Sequence, residues 1–164
     1  MFGKKKKLLE WQNAILEEPT DKLIMTEKQL KETTNLMVEN DIRIIQDCIR
    51  LIENTVNPET YFSRFQLMLE RTSHLVKIEK YVDFSGTLPS IAVKEIEMNK
   101  DISDFEFCKR YYSQMCIKIS NLKTQKGKDN RIMKYFADIE PYLPRMNDEN
   151  ASYIRERMTP LTRV

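Results

Sequence analysis

Apolar residues recur along this chain with the 3.6-residue period of an α-helix, not the alternation of a strand. The fullest example is Ile42 to Ile52. At about 100° per residue, Ile42, Ile44, Ile45, Cys48, Ile49, Leu51 and Ile52 fill one half of the circumference. Arg43, Gln46, Asp47, Arg50 and Glu53 fill most of the other half. A surface helix needs an apolar stripe of only about 100°. A stripe twice as wide predicts a central helix covered from two directions.

The remaining pattern supplies the covers. Thr26 with Gln29 forms a capping-box pattern that opens a helix running to about Asn54. Asn57-Pro58-Glu59 is a strong start signal: a capping amide, a proline at the first helical position and an acid at the positive helix end. It predicts a helix from Pro58 to about Val82, antiparallel to the central one because Thr55–Asn57 is short. Gly86 is expected at a positive φ and Pro89 to open a short helix to about Asn99. Phe105, Cys108, Tyr112, Met115, Ile119 and Leu122 then step by three and four residues, a seam of knobs-into-holes type. Gly127 is expected to break that helix, with another at Asp129–Ile139, a loop bounded by Pro141 and Pro144, and a last helix capped by Asn147 or Asp148. The expected fold is all-α, a bundle of five to seven helices. A basic segment at 1–18 precedes a single domain at 19–158, with a tail at 159–164.

Composition agrees with this class. The 164 residues include only three glycines, too few for the turns of an all-β fold and for a phosphate-cradling loop. The 27 basic and 25 acidic residues become 23 against 25 once Lys4 to Lys7 are set aside, so the body is near neutral. Charge is nevertheless clustered. Lys109 to Lys134 holds eight Lys/Arg and one acid, and Glu10 to Asp41 holds eight acids and three lysines. Cys108 and Cys116, eight residues apart on one helix, lie about 12 Å apart, too far for a disulfide. With Cys48 they read as reduced thiols. The lysine run resembles a leader's basic start, but Glu10, Gln12 and Asn13 interrupt the apolar stretch that should follow. Myristoylation needs glycine where Phe2 stands. The expected location is the cytoplasm.

Candidate chemistry is sparse. His74 is the sole histidine, and with Glu70 it offers two metal ligands where a stable site needs three or four. With one histidine and no G-x-S-x-G elbow, nothing nominates Ser63, Ser73 or Cys48 as a nucleophile. Glu39, Asp41, Asp47 and Glu53 are the carboxylates an all-carboxylate metal site would draw on, but Arg43 and Arg50 flank Asp47 at helical spacing, and with Glu39 they read as an ion-pair ladder on a solvated face. No catalytic residue, cofactor, metal or small-molecule substrate is indicated. The leading expectation is a non-enzymatic helical protein that binds another protein or itself. One alternative is nucleic-acid association through Lys118, Lys123, Lys126, Lys128, Arg131 and Lys134, a cluster that a phosphate backbone would attract. The other is a membrane surface or partner met by Lys4, Lys5, Lys6, Lys7, Leu8 and Trp11; the simpler expectation for this segment is a terminal helix packed loosely on the bundle with its lysines solvated. Arg64, beside Tyr61 and Phe62, is a candidate for an anion or a partner's carboxylate.

Overall fold

The computed structural model describes residues 2–16, 25–158 and 160. Among them the chain is an all-α helical bundle: α1 (Phe2–Ile15), α2 (Glu27–Asn54), α3 (Pro58–Ile78), α4 (Pro89–Met98), α5 (Lys100–Ser120), α6 (Gln125–Ile139) and α7 (Asp148–Arg157). Short 3₁₀ segments follow α3 at Glu79–Tyr81 and α6 at Glu140–Arg145. The second occupies the loop expected between Pro141 and Pro144. All of the tail at 159–164 but Pro160, and the Pro19 end of the first segment, lie outside the described residues.

The helix starts follow from local chemistry. Thr26 and Gln29 form a reciprocal capping box, the backbone N–H of each donating to the other's side-chain oxygen at 3.3 and 2.9 Å. Asn57 caps α3 through the Thr60 N–H at 3.0 Å. Asn147 caps α7 through the Asn150 N–H at 2.8 Å. Gly86 has φ +123° in the connector. Gly127 departs from expectation. It does not break a helix but lies in the first turn of α6, donating its N–H to the capping Thr124 Oγ1 at 3.2 Å. A Cβ there would sit 2.9 Å from that same oxygen, so glycine allows the close approach that makes the cap. α6 therefore starts four residues before Asp129.

The chain divides into two compact units. The first comprises residues 1–48 and 66–95. Its core is Trp11, Ile15, Leu30, Val38, Leu75 and Ile78, with Leu8, Ile45, Tyr81 and Phe84 packed against it. Trp11 stacks on Tyr81, ring centroids 5.5 Å apart, and donates Nε1–H to Thr34 at 3.1 Å. Thr34 in turn donates its O–H to the Leu30 carbonyl at 2.6 Å. Buried Gln12 accepts from the Met25 N–H at 3.1 Å. Indole, hydroxyl and amide are thus all paired, as burial requires.

The second unit comprises residues 49–65 and 96–164. Its core is a run of aromatic rings. Tyr61 stacks on Phe107 at 4.3 Å, Phe107 on Tyr111 at 5.9 Å and Tyr111 on Tyr135 at 5.8 Å, with Tyr142 edge-on to Tyr61. Every phenol in the run has an acceptor: Tyr61 donates to Asp104, Tyr111 to Asp138, Tyr135 to the Met158 carbonyl and Tyr142 to the Pro58 carbonyl. Arg110 donates to the Ile52 carbonyl at 2.7 Å and the Thr55 carbonyl at 3.4 Å. It thereby supplies the end of α2 with partners that a helix terminus lacks. The buried line of α5 is Asp104, Phe107, Cys108, Tyr111, Met115 and Ile119. The seam is thus rotated from the expected one: Phe105, Tyr112 and Leu122 are only half-buried flanks.

The wide stripe of α2 is not fully covered. Cys48 and Ile52 are buried and Ile44 and Ile45 half-buried, but Ile42 and Ile49 keep 39% and 42% of their surface in solvent. A core contact face narrower than the apolar arc leaves the arc's flanks exposed. Burial also separates residues of one type. Leu30→Ala should destabilise the chain by about 2–5 kcal/mol. Leu36→Ala, at a side chain 69% exposed, should change stability by less than about 0.5 kcal/mol. Urea unfolding followed by far-UV circular dichroism measures both, and equal losses would contradict this core.

Candidate functional site

The basic tract is the C-terminal end of α5, the turn after it and the start of α6. Lys118, Lys123 and Lys126 are exposed, and Lys128 and Arg131 half-buried. Lys134 is committed to Asp138 one turn on, at 3.2 Å. Lys118, Lys123, Lys126 and Lys128 form no ion pair among the described residues. Lys118 lies where a helix favours cations, in the last turn of α5. Lys126 and Lys128 do not. With α6 starting at Gln125, both fall in or beside its first turn, which carries no acid. Their charges add to the positive end of the helix dipole there.

The N-terminal candidates divide. Lys5, Lys6 and Lys7 are exposed, and Lys4 pairs with Glu27 at 3.1 Å. Trp11 is buried and Leu8 packs on the same core, so these apolar side chains are already engaged within the first unit. Arg64 is exposed and forms no ion pair among the described residues.

One cluster was missed in the sequence. Asp41 is 1% exposed. His74 Nδ1 lies 2.8 Å from its Oδ2 and Arg71 Nη1 3.5 Å from its Oδ1. The His74 side chain keeps 27% exposure. Two signals in the sequence point here. Asp41 lies three residues after Val38 and four before Ile45, on the apolar side of α2. Asp41 and Arg71 are also each fifteen residues from Val56, the middle of the turn joining α2 to α3. An antiparallel hairpin sets such positions opposite each other. Arg43 Nη2 bonds Asn40 Oδ1 at 2.9 Å. Among the described residues no group of three or more His, Cys, Asp or Glu could hold a metal ion, and no helix is long and apolar enough to cross a membrane.

In the second unit Asp104 is fully buried, with Arg145 Nε at 2.8 Å from Oδ2 and the Tyr61 hydroxyl at 2.7 Å from Oδ1. Burial raises its carboxyl above the usual range, against the opposing pull of Tyr61 and Arg145. Burial also pushes the neighbouring Cys108 thiol up to about 12. At neutral pH it is protonated and unreactive, an inert core thiol. The arrangement matches a structural anchor better than a reactive centre.

Comparison with protein families, curated proteins and solved structures finds no match.

The aromatic run has a consequence in alkali. Burial raises the phenols of Tyr61, Tyr111, Tyr135 and Tyr142, the last to about 12. A folded value above the unfolded one means full stability below pH of about 10, the unfolded value, and loss as pH rises beyond it. In a spectrophotometric titration these four phenols should ionise together with loss of helix. In urea they should titrate near pH of about 10. Gradual ionisation with the helical signal unchanged would contradict the burial described.

Proposed function

We propose that this chain is a non-enzymatic helical interaction protein that presents apolar helix surface to a protein partner. The observation that carries this reading is the exposure of Ile42 and Ile49, two turns apart on one helix, while the centre of the same stripe is buried. Isolated exposed apolar residues are ordinary, but apolar side chains repeated along a helix flank suit insertion into a partner's groove. Ile42→Glu with Ile49→Lys should leave the circular dichroism spectrum unchanged. The pair should abolish self-association measured by light scattering, or capture of a specific partner from the native cell. A wild-type chain that stays monomeric and captures nothing, or a variant that behaves like wild type, would end this reading.

A second reading is supported by the lysines at the start of α6. Cations at a helix N-terminus are unfavourable by themselves, so Lys126 and Lys128 have no explanation in helix stability. An anion such as a nucleic-acid backbone would relieve them, with Lys118, Lys123 and Arg131 alongside. Under this reading the chain retards nucleic acid in gels at low salt. Lys123→Glu, Lys126→Glu and Lys128→Glu together should weaken binding and reduce the salt slope by about 0.9 per lost phosphate contact. No retardation at low salt would remove it.

A further inference from the structure

A histidine held by a carboxylate on one nitrogen is a nucleophile or base on the other. Asp41 is a carboxylate acceptor, so His74 donates Nδ1–H to it, and in the neutral ring the lone pair is on Nε2. Nε2 has no partner among the described residues, and the side chain is partly exposed. A general base needs a hydroxyl or thiol to activate. Thr72, the nearest buried hydroxyl in sequence, donates instead to the Met68 carbonyl at 2.8 Å. The imidazole is therefore left as the attacking group itself. Its charge surroundings select the electrophile. Arg71 and Lys77 lie one helical turn before and after His74, on its own face of α3. Lys77 is exposed and forms no ion pair among the described residues. Arg71 Nε is buried without an acceptor, a donor of the kind that demands an explanation. Glu70, exposed four residues before His74, is the nearby charge of opposite sign on this helix. Asp41 is already engaged by Arg71 and His74.

We propose that His74 is a phosphoryl-acceptor site, taking a phosphoryl group on Nε2 from a small donor of the acyl phosphate or phosphoramidate class, with Asp41 as positioning residue. Nε2 attacks phosphorus, the N–P bond forms, and the bond from phosphorus to the leaving group breaks. The leaving group departs with that electron pair, as carboxylate from an acyl phosphate or as ammonia from a phosphoramidate whose nitrogen already carries the extra proton. The Nδ1 proton stays between His74 and Asp41, whose carboxylate balances the positive charge on the phosphorylated ring. Arg71 and Lys77 meet the phosphoryl oxygens.

Because His74 is the only histidine, any phosphohistidine formed is at this position. The full chain is treated with potassium phosphoramidate and followed by intact mass spectrometry. The expected product is a single acid-labile phosphoryl adduct that His74→Gln abolishes. Asp41 sets the ring's tautomer and orientation through Nδ1, and Asp41→Asn should slow labelling. The native chain should also label faster than the same chain in urea. Were Asp41→Asn to lose its helical signal, Lys77→Gln and the urea comparison carry the test, both expected slower than native wild type. No native adduct, or labelling no faster than in urea, would overturn the proposal and leave His74 as a structural ion-pair partner.

Discussion

A carboxylate taken out of water must be met by donors, and each unit of this protein closes around one. In the first, Asp41 on α2 is met by His74 and Arg71 on α3. In the second, Asp104 on α5 is met by Tyr61 at the start of α3 and by Arg145 after α6. Such pairs add little net stability, because desolvation offsets most of the attraction. Their force is negative: a partner removed or displaced leaves a buried charge alone, at a cost of about 3–5 kcal/mol. Apolar packing tolerates a helix sliding by a turn far better than a buried carboxylate does. The two aspartates thus restrict the register of the helices that carry their partners.

The same demand extends to neutral groups. Trp11, Thr34 and Leu30 form a relay of hydrogen bonds within the first core, and four stacked or edge-on tyrosines each find an acceptor in the second. Aromatic rings supply large buried area while their polar tips choose among the geometries that area would allow. With this much polar chemistry internally satisfied, the groups left over stand out: the flanks of the α2 stripe, the lysines around the start of α6, and the free nitrogen of His74. They carry the interaction, anion-binding and phosphoryl-acceptor proposals respectively.

The helices themselves were legible in the sequence because their signals are local. Thr26 with Gln29, Asn57-Pro58-Glu59 and Asn147 act over one turn, and each cap is present in the structure. Gly127 was misread because glycine signals two opposite things. It weakens a helix interior, yet it admits a capping side chain that a Cβ would obstruct. The α5 seam was misread by one position because a step of three or four residues suits neighbouring lines almost equally. Which line is buried depends on Tyr61, Tyr135 and Tyr142, rings from other elements.

By itself, then, the sequence determined an all-α fold, the main helix starts and the antiparallel pairing of α2 with α3, since period, caps and short loops are properties of neighbouring residues. Tertiary structure alone decided that Asp41 is buried beside His74 and that Ile42 and Ile49 stay partly in solvent. The reason is physical: a helix wheel gives the direction of each side chain, but exposure depends on whether another element stands in that direction.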